Sequence, residues 1–421
     1  MRRMLIIFIS VCMYFQINAK TITVCKSCNI NSLAKALSIA QTNDSIIIKK
    51  GVYYEPDIVI NKSLKIIGEN DVVIDGKNMN GIIIDHTNNF VIKNVHIQNI
   101  KVSYIKDNAA LKITKCDSFL IENVTITNTF FGIHLEKSTN GIIRNNIVSS
   151  IKRTNEAGTG NGIHAWHCSN IDIYNNEIFN MRDGIYFEFV DKSNIYNNFS
   201  HDNIRYGLHY MFSNNDVYYN NTFKSNGAGV AVMFSKYIEM HHNKFVNNWG
   251  AASYGLLLKE ITDTKIYKNV FEENTTAINI EGTNRVNYEN NIFRNNGWSL
   301  KIDGACYTNT FVKNDFLNNS LDVSYNSRIN DNIFNKNYWS DYAGYDLDKN
   351  GVGDVPYRPV KLFSYIVNEI PQALVLLRSL FIDIINFSEK VSPIFTPDNV
   401  IDEQPVLNPI NDFDSASQQK V

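Results

Sequence analysis

The stretch VYYNNTFKSNGAGVAVMFSKYIEMHHNKF, residues 217–245, decides the fold. It holds one phrase twice: a hydrophobic residue, two variable ones, Asn, a variable one, then Phe, as in VYYNNTF (217–223) and MHHNKF (240–245). Working outward, the phrase returns as IYKNVF, YENNIF, FVKNDF and DNIF. The key Asn falls at 94, 123, 146, 176, 198, 221, 243, 269, 291, 314 and 332, in steps that cluster near 22 with longer ones of 29, 30 and 26. A second phrase keeps step with it: Gly132-Ile133, Gly162-Ile163, Gly184-Ile185, Gly207-Leu208, Gly229-Val230 and Gly255-Leu256. A period of about 22 residues made of short alternating runs, with no helical pattern inside, reads as a β-solenoid. The expected object is an all-β, right-handed parallel β-helix whose coils stack ~4.8 Å apart. Equivalent residues then form ladders. Phe223, Phe245, Phe271, Phe293, Phe316 and Phe334 are expected to stack inside, and the repeated Asn to bond coil to coil at a turn.

Composition agrees. The chain has 421 residues, with 40 Lys+Arg against 42 Asp+Glu and a formal charge of -2, which argues against a phosphate-tracking nucleic-acid binder. Charged residues make up 19% and aromatics 12%, too rich in Ile, Val, Phe and Tyr for disorder. Asn and β-branched residues are poor helix formers, so a mainly helical fold is excluded as well.

Residues 1–19 read as a secretory signal: Arg2-Arg3, an apolar run from Leu5 to Ile17, and small Ala19 at the exit. Residues 20–45 form an amino-terminal cap, with a short amphipathic helix over Asn31–Gln41. The solenoid takes 46–340. A Gly/Asp-rich closing region follows at 341–365, where Asp346, Asp348, Asn350 and Gly351 imitate the opening of a calcium loop. Tyr357 stands where an EF-hand places its Glu, so the segment reads as a rigid turn. An amphipathic docking helix is expected over 366–392, and an extended or disordered tail over 393–421. Cys25 and Cys28 form a CxxC after the signal, read as a small disulfide or a copper-receiving dithiol. Cys116, Cys168 and Cys306 have no evident partner.

After each Gly-Ile the aliphatic side chain points in and the next residue points out. Aligned coils place His134, His164, Tyr186, His209, Ala231 and Leu257 in one outward column. Two residues on, a second column reads Glu136, Trp166, Glu188, Met211, Met233 and Lys259. His134, His164, His209, Met211 and Met233 thus share a face over ~20 Å. Thioethers favour Cu(I) and imidazole suits copper too, so His209, Met211 and Met233 form the tightest candidate for transient copper binding. The alternative is that a loop or partner simply covers them. His241-His242 fall on a Tyr ladder and read as structural. Glu136 and Glu188, two coils or ~10 Å apart, leave open a polysaccharide lyase or hydrolase, or a glycan-binding protein.

RDGIYFEFVDKSNIYNN (182–198), RYGLHYMFSNN (205–215), GVAVMFS (229–235) and NYWSDYAGYDLDKNGVGDVPY (337–357) carry a family likeness. With Pro371, Leu376-Leu377-Arg378-Ser379 and Thr396-Pro397, the chain resembles the NosD family over roughly residues 51–405. These are periplasmic maturation proteins of nitrous oxide reductase. The resemblance implies a parallel β-helix and a non-enzymatic subunit on the outer face of the cytoplasmic membrane. It implies an ABC permease and ATPase as partners, with membrane contact through the permease or the carboxy-terminal helix. It further implies transient Cu(I), accepted from a copper chaperone lipoprotein and destined for nitrous oxide reductase. His209, Met211 and Met233 lie inside the matching motifs, whereas Cys25 and Cys28 match none.

Overall fold

A computed structural model describes residues 19–103, 105–152, 156, 158–326, 330–377, 379–391 and 400–411. Arg2, Arg3 and the apolar run of the expected signal lie outside them, as do Thr396-Pro397 and the last ten residues. The deciding stretch holds one coil of three short strands and the opening of the next. Val217–Tyr219 pairs parallel with Glu239–His241, Thr222–Lys224 with Lys244–Val246, and Ala228–Met233 with Tyr254–Lys259, each one coil further on. Repetition of this coil builds a right-handed solenoid with a 25-stranded sheet and a 12-stranded sheet, both parallel.

The Gly of each Gly-Ile phrase is where backbones meet. A Cβ on Gly229 would lie 2.4 Å from the Gly255 carbonyl oxygen, and one on Gly207 would lie 2.7 Å from that of Gly229. The repeated Asn solve a polar problem. Asn221 Oδ1 accepts from the Asn198 backbone N at 2.9 Å and from Asn198 Nδ2 at 3.0 Å, and its own Nδ2 donates to Asn243 Oδ1 at 3.0 Å. Such rungs satisfy turn amides that the coil buries, each of which would otherwise cost about 1–3 kcal/mol. The ladder runs from Asn146 through Asn176, 198, 221, 243, 269, 291 and 314 to Asn337. Asn94 and Asn123 pair outside it, at the surface.

Inside, Phe245 and Phe271 stack at 4.4 Å, and Phe293 and Phe316 at 4.7 Å. The expected last rung, Phe334, is elsewhere: Phe316 stacks on Trp339 at 4.0 Å, while Phe334 extends a separate Tyr288–Phe311 stack at 4.5 Å. Register decides this. Ile333-Phe334 pairs with Thr310-Phe311, so Tyr338-Trp339 is the true partner of Asp315-Phe316.

The amino-terminal lid is α1 (Leu33–Ile39), shorter than expected, with Leu33 and Ala36 buried on the first coil. The sheet begins before it: Thr21–Val24 pairs with Ser45–Ile48, so part of the expected cap is a strand.

At the other end, α2 (Leu362–Glu369), a 3-10 turn (Pro371–Leu376) and α3 (Leu380–Val391) replace the single expected helix. The chain is broken at Ile370-Pro371, since Pro lacks the amide a continuing helix needs. Phe363, Val367 and Ile382 pack against Trp298 and Leu321 of the solenoid. Residues 400–411, read as tail, return to close the last coil. Asp402 Oδ2 accepts from Asn337 Nδ2 at 2.9 Å and Trp339 Nε1 at 3.1 Å, becoming the final rung of the Asn ladder.

Candidate functional site

The outer surface of the 12-stranded sheet carries the candidate residues. His134 is paired in register with His164, His164 with Tyr186, and Tyr186 with His209. In the next column Trp166 pairs with Glu188, Glu188 with Met211, and Met211 with Met233. Both methionines are half-buried and belong to adjacent coils. The Tyr186 hydroxyl donates to Met211 Sδ at 3.5 Å, tying the aromatic column to the sulfur column.

The imidazoles point out of the coil but are covered, His164 half-buried and the other two more deeply. His134 and His209 are only 4% and 5% exposed. The rings follow one another up the column: His134–His164 stacked at 4.8 Å, His164–Tyr186 tilted by 35° at 4.8 Å and Tyr186–His209 stacked at 4.6 Å. A third outward column covers one flank, Phe131 lying 5.3 Å from His134 and Tyr206 lying 4.8 Å from His209. Burial, reinforced by Lys112, pushes the His134 imidazole down to about 4; burial and the neighbouring His134 push His164 down to about 3. Both are therefore neutral at physiological pH, the form that ligates metals. Neither ring nitrogen of His164 has a hydrogen-bond partner, and His134 Nδ1 has none.

Under Tyr206 lies a charge clamp that sequence reasoning missed. Asp183 is fully buried, and Arg205 holds it from the next coil, Nε to Oδ1 at 2.8 Å. Burial opposes ionisation of Asp183, yet the guanidinium and His209, whose Nδ1 lies 3.6 Å from Oδ2, keep it below its ordinary value. The signal was present: Asp183 directly precedes its Gly, and Arg205 lies next to the equivalent position one coil later.

Beyond Met211 and Met233 the chain turns a corner through Phe212 and Phe234, both with φ near +50°. His167, Phe189, Phe212 and Phe234 stack there at 4.7, 5.2 and 5.1 Å. His167 therefore belongs to a corner stack and not to the outward imidazole column, and Phe189 and Phe212 are about two-fifths exposed. His241 lies in a Tyr174–Tyr196–Tyr219–His241–Tyr267 stack, as expected of a structural residue.

Among the described residues, no group of three or more His, Cys, Asp or Glu side chains converges as a metal site. The Asp346–Asp354 segment forms a turn closed on itself, Asp346 Oδ2 accepting from Gly351 N at 2.9 Å and Asp354 Oδ2 from Leu347 N at 2.7 Å. What the sheet does assemble is a soft thioether pair, beside a stack of three imidazoles and one phenol.

Residues 149–344 match a family model described as periplasmic copper-binding protein (NosD). That span includes His164, His209, Met211 and Met233 and leaves out His134. Two relatives, from Pseudomonas aeruginosa and Stutzerimonas stutzeri, are each named probable ABC transporter binding protein NosD. Both are 28% identical over 122 residues, which is 28% of this chain and 28% of the relative. The match thus spans little more than a quarter of the relatives' length. Among solved structures, the family 28 exopolygalacturonase of Yersinia enterocolitica superposes with a TM-score of 0.56 at 11% identity, over 76% of this chain and 78% of that one. That likeness shows the fold alone. The segment carrying the thioether pair is similar in sequence to the periplasmic copper-binding NosD family.

Proposed function

We propose that this protein is a NosD-type accessory protein that takes up Cu(I) transiently on its outer β-face. It acts without catalysis of its own, beside an ABC permease and ATPase, in assembling the copper site of nitrous oxide reductase. The observation that carries this reading is the in-register pair Met211–Met233 on adjacent coils, with Tyr186 on one sulfur and His209 two residues away in the same strand. Thioethers select Cu(I) over harder ions and release it more readily than thiolates, which suits a carrier. The neutral His134–His164 stack adds nitrogen ligands that need no deprotonation. The NosD family match and the transporter-binding names of the relatives support the same reading.

The periplasmic face of the cytoplasmic membrane is the compartment this role requires, with a copper lipoprotein as donor. The helical appendage supplies a docking element. One side grips Trp298 and Leu321, while Val375 (86% exposed), Leu380, Phe381, Ile384 and Phe387 (69% exposed) form an apolar outer side suited to the permease or its lipid surroundings.

Anaerobic Cu(I) titration against a chromogenic chelator tests the site. Wild type should hold Cu(I), and a Met211→Ala/Met233→Ala variant should lose most of that affinity while keeping its β-sheet circular dichroism. Equal affinity in both removes the site. Release of reducing ends from a polysaccharide panel, abolished by Glu188→Gln, would instead establish the glycan-processing alternative.

A further inference from the structure

The described chain contains five cysteines, and they divide sharply. Cys116, Cys168 and Cys306 are buried and unbridged, each from a different coil. Burial pushes their thiols up, Cys168 to about 11, so they remain protonated and inert. Cys25 and Cys28 are bridged on a half-exposed turn at the amino-terminal end of the solenoid, between the strand Thr21–Val24 and α1.

Stability does not explain that bridge. It closes a loop of only four residues, so it removes little freedom from the unfolded chain. The lid beside it is secured by other means. Ser32 Oγ accepts from Lys35 N at 3.2 Å, Glu55 accepts from Leu33 N at 2.6 Å and Ala34 N at 3.3 Å, and Leu33 and Ala36 are buried.

The turn also holds itself. Cys25 N donates to Ile30 O and Cys28 N to Cys25 O, both at 3.1 Å, so the two Cα atoms, 5.1 Å apart, stay side by side when the sulfurs separate. Lys26, between them, keeps a cation at the turn with its Nζ 4.6 Å above the Tyr53 ring. A nearby cation favours thiolate over thiol.

We propose that Cys25 and Cys28 form a second, redox-gated soft-metal site, closed while bridged and taking one Cu(I) between two thiolates once a dithiol reductant opens it. In the opening step the S–S bond breaks and two electrons and two protons pass to Cys25 and Cys28. The reductant's two thiols become a disulfide. Cu(I) then displaces both cysteine protons to give a two-coordinate bis-thiolate with one net negative charge. Thiolate is the softest ligand a protein offers this ion. The site does not depend on the methionine pair.

The experiment compares Cu(I) stoichiometry in oxidised and dithiothreitol-reduced full-length mature protein, desalted and titrated anaerobically against bicinchoninate. A thiol reagent applied to the folded protein should find two reactive cysteines after reduction and none before. Reduced wild type should take up one more Cu(I) than oxidised wild type. Cys25→Ser/Cys28→Ser should show no such difference, and Met211→Ala/Met233→Ala should keep it in full. Copper binding absent from oxidised wild type but gained on reduction would refute the methionine site and support this one. Equal stoichiometry before and after reduction overturns the proposal. So does a bridge that opens only on unfolding, or an extra equivalent that persists in the double serine variant.

Discussion

Replacing Arg205 by methionine isolates the clamp beneath the imidazole stack. Asp183 is fully buried, and its guanidinium partner is donated from the adjacent coil at 2.8 Å. With Arg205 in place the carboxyl titrates below its usual 3.8, so its contribution is present above that pH and is lost as acid protonates it. In Arg205→Met the charge stays buried with only His209 Nδ1, 3.6 Å away, to face it. Losing one partner of a buried pair costs about 3–5 kcal/mol. Burial then raises the Asp183 pKa, so the variant loses stability as pH rises through the unfolded value. The gap to wild type should widen by about 1.4 kcal/mol per pH unit until Asp183 ionises or the coil opens. Urea melts followed by circular dichroism at pH 4.5 and 7.5 measure it. The expected gap is small at the lower pH and several kcal/mol at the higher. Asp183→Asn/Arg205→Met, which leaves no charge behind, should recover most of the loss. A gap below about 1 kcal/mol at pH 7.5, or one that ignores pH, would refute the argument.

The buried imidazoles carry their own signature. Unfolded, His134 and His164 titrate near 6.5; folded, near 4 and 3. Stability should therefore fall by about 2 kcal/mol for each as pH drops from 7 to 5, and histidine proton NMR should show both neutral at pH 5.5. Asn221→Ala orphans the Asn198 amide and the Ile195 carbonyl, which receives Nδ2 at 2.9 Å; a loss of about 4 kcal/mol in denaturant melts is expected. Asn123→Ala, removing an exposed amide pair, should cost about 0.5 kcal/mol or less in the same melts. Asp402→Ala removes the acceptor of Asn337 and Trp339, so hydrogen exchange should quicken in the last coil and leave residues 217–245 protected.

The solenoid was legible because a period near 22 repeats many times, so a few odd steps cannot hide it. Errors fell where repetition stops. Phe334 was aligned by its DNIF phrase, yet the partner of Phe316 is Trp339, a register only strand pairing reveals. Thr21–Val24 preceded any repeat and looked like a lid. The columns of the outer face were readable, because alternation fixes which side of a strand a residue takes. What lies on top of them was not. His134 and His209 point outward and are still covered, because Phe131 and Tyr206 stand in a column the Gly-Ile phrase does not mark. The steps of 29 and 30 announced that chain was inserted there, without saying where it would lie. Tail residues 400–411 carry no pattern of their own, and only the vacancy at the end of the Asn ladder gives them a place.

That last contact puts the molecule on a timetable. A chain that emerges amino end first can wind each coil against the one before it as soon as some 22 residues are free. The final winding has to wait, since the carboxylate that seats Asn337 comes 65 positions later. Until Asp402 arrives, the last coil presents bare strand edges to whatever is nearby.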